Sequence, residues 1–288
     1  MLSVASQPAL KTEEIDILKH FRIFSARLEL LIVAALFGSA CTSTQSSEHP
    51  SGHVHWGYAT STGPSLWCDL DAANSPCCEG HEQSPIDIKS STASLGSLPS
   101  LGFTYPVGTY DVTNNGHTVQ ATFVADHERS GMTIGATFYP LQQFHLHTPS
   151  EHAIDGHHAP VELHFVHRSD AGNLAVIGVM VEPGAANAEL EKIWKLAPAD
   201  EGKGGTAHGV DVASVMPASH ANFRYAGSLT TPPCSERVQW IVMQTPITMS
   251  DAQIQKLEAM FSGHKFPNGN ARPVQPLGAR TIEVDPGN

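Results

Sequence analysis

The most constraining feature of this 288-residue chain is a pair of short stretches in which histidine alternates with apolar residues. The first is Gln142-Gln143-Phe144-His145-Leu146-His147, and the second is Val161-Glu162-Leu163-His164-Phe165-Val166-His167. Side chains along a β-strand point to opposite faces, so residues two apart share a face. Gln143, His145 and His147 therefore share one face, and Phe144 and Leu146 take the other. In the second stretch Glu162, His164 and Val166 fall together. Two strands of one sheet can bring His164 beside the His145/His147 pair. Three neutral imidazoles with an open fourth position describe a catalytic zinc site rather than a closed structural one. A ligating histidine donates its second ring proton to an oriented acceptor, and Gln143 and Glu162 stand on the ligand faces for that task. One His-x-His pair alone is more often a surface strand. The third histidine and the polar partners on both stretches reverse that balance.

Other stretches, at residues 118–124, 133–139, 174–181 and 237–243, are β-branched or apolar and bounded by turn residues, and read as strands. Residues 187–195 and 250–261 read as helices, the second with Ser250 as N-cap and Gly263 beyond its end. Strands dominate, so the expected fold is mainly β with peripheral helices (α+β), a single domain on a central, mostly antiparallel twisted sheet. Acids outnumber bases 28 to 16, and a net charge of −12 argues against a nucleic-acid partner. The 17 histidines outnumber lysine and arginine combined, and imidazole is a common zinc ligand.

The N-terminus reads as a targeting segment. Lys19, Arg22 and Arg27 precede an apolar run at residues 30–37, followed by Gly38, Ser39, Ala40 and Cys41. The run is too short to span a bilayer and fits the apolar region of a signal peptide. Residues 1–40 are thus the signal segment, 41–53 a polar tether and 54–288 the folded domain. The small residues before Cys41 also resemble a bacterial lipoprotein processing site, although Gly38, Glu29 and the long leader depart from that pattern. Simple cleavage and lipidation of Cys41 both stay open. Either way the protein is expected outside the cytoplasm, periplasmic or lipid-anchored to the cell envelope, with membrane contact only through a lipid on Cys41. Without Cys41 four cysteines remain, Cys68, Cys77, Cys78 and Cys234, an even number suited to two disulfides in an oxidising compartment. Spacing does not choose the pairs.

The segments Phe144-His145-Leu146-His147, Ser150-Glu151-His152 and Glu162-Leu163-His164 resemble the zinc-binding core of the α-carbonic anhydrases. Outlying motifs follow in the family's order: His55-Trp56-Gly57-Tyr58, Gln83-Ser84-Pro85-Ile86-Asp87-Ile88, and Asn114-Asn115-Gly116-His117. Then come Tyr225-Ala226-Gly227-Ser228-Leu229-Thr230-Thr231-Pro232-Pro233 and Asn270-Ala271-Arg272-Pro273-Val274-Gln275-Pro276-Leu277. The resemblance runs from Val54 to about Leu277 and is closest to the bacterial, exported members. Two departures leave the ligand set untouched: a shorter segment between His147 and His164, and Thr148 where vertebrate members often carry tryptophan. The resemblance also implies a disulfide between Cys77 and Cys234 that braces the threonine loop. Cys68 and Cys78 are left as a second pair or as two free thiols.

The resemblance implies reversible hydration of carbon dioxide to bicarbonate and a proton, by attack of a zinc-bound hydroxide. His145, His147 and His164 would hold the Zn2+. Thr230 would accept a hydrogen bond from the hydroxide and pass its own proton to Glu151, and Thr231 would contact bicarbonate. Val166, Val176, Leu229, Val238 and Trp240 would form the apolar wall for carbon dioxide. His117 would carry the proton to buffer, an ordinary task for an exposed imidazole. His152, His157 and His158 are further candidates for surface proton traffic, the last two better read as plain solvent-exposed residues. A zinc hydrolase is the first competing class, but His-Glu-x-x-His and Gly-x-Ser-x-Gly motifs are both missing. A ligand-binding module that has lost its metal fits poorly with an intact triad. Zinc scavenging is a third reading, prompted by the histidine excess. The oligomeric state is not legible.

Overall fold

In the computed structural model, residues 55–124 and 130–287 are described. The proposed signal segment, the tether and Cys41 lie outside them. Eight strands carry the architecture: β1 (Gly108–Asn114), β2 (Val119–Phe123), β3 (Thr137–His147), β4 (Val161–Arg168), β5 (Leu174–Pro183), β6 (Gly202–Val210), β7 (Asn222–Ser228) and β8 (Glu236–Met243). They run in the order β6-β1-β2-β3-β4-β5-β8-β7 across one sheet. All neighbours in that path are antiparallel except β5 and β8, which are parallel. Glu283–Asp285 and Ser94–Leu95 extend the β7 edge. The mainly β architecture with few helices is thus the one expected.

Alternation along these strands sorts their side chains into two apolar clusters. Phe144 and Leu146, Leu163 and Phe165, Ile177 and Val179, and Ile241 and Met243 belong to the larger. Their strand neighbours Val176, Met180, Tyr225, Val238, Trp240 and Val242 form the smaller. Helices α1 (Ala188–Trp194) and α2 (Asp251–Met260) bury Leu190, Ile193, Trp194, Ile254 and Leu257 in the larger cluster. Ser250 caps α2 in a full capping box with Gln253, which satisfies two backbone donors at that end.

One expected strand is wrong in its bounds. Residues 133–139 are not continuous, because Gly135, at φ +59°, turns the chain between Gly131–Ile134 and β3. Both cysteine pairs are bonded: Cys77–Cys234, 157 residues apart, and Cys68–Cys78, 10 residues apart.

Candidate metal centre and active site

Register, not sequence proximity, assembles the centre. His145 on β3 is paired with His164 on β4, and His147 with Glu162. One nitrogen from each of His145, His147 and His164 lies within 4.8 Å of the others. Each ring has its other nitrogen committed to an acceptor. His145 Nδ1 donates to Gln143 Oε1 at 2.8 Å. His147 Nδ1 donates to the backbone carbonyl of Asn270 at 2.8 Å. His164 Nε2 donates to Glu162 Oε1 at 2.9 Å. A neutral imidazole has one donor and one acceptor nitrogen, so these bonds leave a lone pair on Nε2, Nε2 and Nδ1 respectively. His147 Nε2 is buried and has no hydrogen-bond partner. A buried polar atom without a partner is costly, and a metal ion is the partner that three converging lone pairs accept. The residues fit one zinc ion, which His145, His147 and His164 would hold.

Burial pushes the histidines toward their neutral, ligating form. His147 falls to about 3, first through burial and next through the neighbouring His164 ring. His145 and His164 are lowered too, again chiefly by burial. For Glu162, burial alone would raise the carboxyl, but the His152 and His164 rings outweigh it and hold it well below the usual range. In a second close grouping, His152, Glu162 and His164, Glu162 Oε1 already accepts from His152 Nδ1 at 2.7 Å and from His164 Nε2 at 2.9 Å. It serves as support for the first rather than as a separate ion site.

Glu151 is fully buried behind the triad. Its Oε1 accepts the backbone N–H of Arg272 at 2.8 Å, and its Oε2 lies 3.4 Å from His147 Nε2. Burial raises its pKa well above the usual range, opposed by the Thr230 hydroxyl and the Arg272 N–H. The Thr230 hydroxyl thus stands beside the Glu151 carboxyl group, whose Oε2 is buried without a hydrogen-bond partner. Val176, Val238 and Trp240 are buried in the smaller apolar cluster, with Val166 and Leu229 packed against it. The register sets Val166 across from Gln143 and Val176, and Val176 across from Trp240, one step along the strands from the histidine row. Thr231 is half-buried, and its carbonyl accepts the N–H of Cys234, inside the disulfide-braced loop.

His117 stands apart from the triad. Its ring stacks on Trp56 at 3.7 Å and 11°, and its Nε2 lies 2.9 Å from His55 Nε2. Burial, then His55, lowers it to about 4. His152 is not at the surface, as the sequence reading had allowed: it is fully buried between Glu162 and Tyr225. His157 and His158 are exposed. A cavity of about 800 Å³ lies elsewhere, and none of the three histidines lines it. Its Arg224 and Arg280 spend their donors on backbone carbonyls, Asn222 and Asp285.

Sequence reasoning missed Asn270, Arg272, Gly178 and Tyr225. Asn270 and Arg272 sit in a recognised C-terminal motif, yet nothing local says that their backbone faces His147 and Glu151. Gly178 is opposite His164, and a Cβ there would come within 2.8 Å of Glu162 Oε1. A glycine in an apolar strand signals such a close approach.

Residues 62–285 match the family described as eukaryotic-type carbonic anhydrase. A carbonic anhydrase of Neisseria gonorrhoeae is 36% identical over 243 residues, covering 84% of this chain and 92% of that one. The α-carbonic anhydrase of Thermovibrio ammonificans, solved with the inhibitor sulfanilamide, aligns with a TM-score of 0.73 and 40% identity, over 81% of this chain and 100% of its own. Dioscorin, solved with ascorbate, aligns with the same TM-score at 27% identity, over 82% and 99% of the two chains. One fold thus binds different ligands in these two relatives, and the site must argue function. With a sequence match over most of its length, the chain belongs to the eukaryotic-type carbonic anhydrase family and is an enzyme of that family.

Proposed function

We propose that the protein hydrates carbon dioxide reversibly, giving bicarbonate and a proton, with one zinc ion held by His145, His147 and His164. The observation that carries this reading is the set of three converging imidazole lone pairs, each fixed by an acceptor on the far side of its ring. Zinc in such a site acidifies a coordinated water toward neutrality, the behaviour for which carbonic anhydrase is itself the standard example. The chain's own residues do the rest. Thr230, backed by the Glu151 carboxyl group, orients the attacking oxygen, and Thr231 offers bicarbonate a polar contact. Val166, Val176, Leu229, Val238 and Trp240 hold the apolar substrate against the metal. His117 takes the proton outward. In its position stacked on Trp56, burial and then His55 lower its pKa to about 4, which favours the neutral ring.

Stopped-flow hydration with zinc measured in the same sample tests this, beside His164→Ala. The expected result is one zinc per chain and fast hydration, with both zinc and activity lost in the variant. A folded, zinc-loaded protein without hydration overturns the reading and turns attention to ester hydrolysis and ligand binding.

We also propose export, to the periplasm or as a lipid-anchored envelope protein, with a domain that starts near residue 54. The two disulfides support it, since such bonds persist in oxidising compartments. Mass spectrometry of the mature N-terminus distinguishes simple cleavage from a lipid on Cys41. Intact Met1 in the cytosolic fraction rules out both.

A further inference from the structure

Behind His164 runs a chain of buried hydrogen bonds that the mechanism above does not use. Glu162 Oε2 accepts two backbone N–H groups, from Glu151 at 2.9 Å and His152 at 2.8 Å. Its Oε1 takes His164 Nε2 at 2.9 Å and His152 Nδ1 at 2.7 Å. With both oxygens accepting, His152 Nδ1 must donate, and its Nε2 is left as an acceptor. The Tyr225 hydroxyl lies 2.5 Å from that nitrogen and must donate to it. Tyr225 has then spent its proton, so it accepts from the Ser84 hydroxyl at 2.8 Å. Ser84 Oγ in turn accepts the backbone N–H of Ser228 at 3.1 Å. A backbone N–H can only donate and a carboxylate saturated with donors can only accept. With a neutral His152, the carboxylate end gives the chain one orientation.

The chain is built, not incidental. Ser84, His152, Glu162 and Ser228 are completely buried, and Tyr225 is 5% exposed. Glycines make room at both ends. A Cβ at Gly227 would come within 2.2 Å of Ser84 Oγ, and one at Gly178 within 2.8 Å of Glu162 Oε1. The His152 ring is held at both nitrogens and packs edge-on against Trp240 at 4.6 Å.

We propose that Tyr225 is a positioning residue for the metal centre. With Ser84 and His152 it fixes the Glu162 carboxylate, and through it the tautomer of His164 that leaves Nδ1 bare for the ion. The same chain ends at Ser228, two residues before Thr230, so it ties the ligand to the start of the threonine loop. This inference rests on the zinc reading given above.

The test is zinc release into a chelator, followed by an indicator dye, for the wild type and three variants. Zinc uptake by the wild type is measured first, and its failure sinks the metal reading itself before any variant is compared. Removing a residue that hydrogen-bonds a ligand costs about 10–100-fold in metal affinity. Tyr225→Phe acts two steps further out, through His152 and Glu162, and is expected to release zinc faster by about 10-fold, the low end of that range. Ser84→Ala is expected to shift the rate in the same direction by less, and it decides the matter if Tyr225→Phe does not fold. Tyr105→Phe is the control. It removes an equally buried hydroxyl, 2.9 Å from His167, which touches no ligand, and its release rate is expected to equal that of the wild type. A second readout is the 15N shifts of His164 in the metal-free protein. Wild type is expected to show one tautomer, with Nε2 protonated, and Tyr225→Phe a mixture. Wild-type release and a single tautomer in folded Tyr225→Phe overturn the proposal.

Discussion

The two faces of the central sheet are made by the same strands, one residue out of step, and they solve opposite problems. On one face Phe144, Leu146, Leu163 and Phe165 join a continuous apolar core under α1 and α2. On the other, His145, His147, Glu162 and His164 hold polar groups out of water, and each group needs a named partner. The first face tolerates approximate complementarity, because burial is non-directional. The second does not: a wrong tautomer or a displaced carboxylate leaves a buried charge or lone pair unmatched. Stability is concentrated on one face and positional accuracy on the other.

Substitutions on the two faces of β4 sharpen this contrast. Phe165→Ala opens a void in the larger core and is expected to cost about 3–5 kcal/mol, read as a lowered denaturant midpoint. Zinc release from the folded variant should stay at the wild-type rate; a large acceleration would mean that the two faces are coupled. Glu162→Gln, three residues away on the other face, inverts the pattern. Its amide cannot accept four hydrogen bonds, so zinc affinity should fall about 10–100-fold, measured by competition with a chelator. An unchanged affinity would remove Glu162 from the support of His164.

The smallest effect tests the rim, where His117 belongs to neither face. Folding lowers it from 6.5 to about 4, through burial first and His55 second. The fold therefore favours the neutral ring. Its contribution to stability is whole above 6.5 and is lost as pH falls from 6.5 to about 4. His117→Gln should flatten the loss of stability across that window, relative to wild type, in denaturant midpoints. An unaltered slope would place the ring in water, away from Trp56.

Much of the triad was legible because a strand has a period of two. Once 142–147 and 161–167 are strands, the shared faces of His145, His147, Glu162 and His164 follow without any contact information. The glycine-rich edge strand β6 carried no such signal, since Gly202, Gly204 and Gly205 blur alternation. The turn at Gly135 was hidden inside a β-branched run for a related reason: a single left-handed glycine breaks a strand without altering its composition. His152 was misjudged because local sequence gives a loop histidine no sign of burial; Tyr225 and Glu162 reach it from 73 and 10 residues away.

By itself, the sequence determined the strand faces, the zinc-type donor set, the resemblance that predicted the Cys77–Cys234 bridge, and the capped helix at Ser250. Only the tertiary structure decided which nitrogen of each histidine faces the centre, because that depends on acceptors contributed from elsewhere in the chain. The Asn270 carbonyl that sets His147 lies 123 residues away, and the Arg272 N–H that holds Glu151 lies 121 away. Alternation is a local property of the backbone and can be read along the chain. A hydrogen-bond orientation is a property of pairs, and it exists only once the fold has brought both members together.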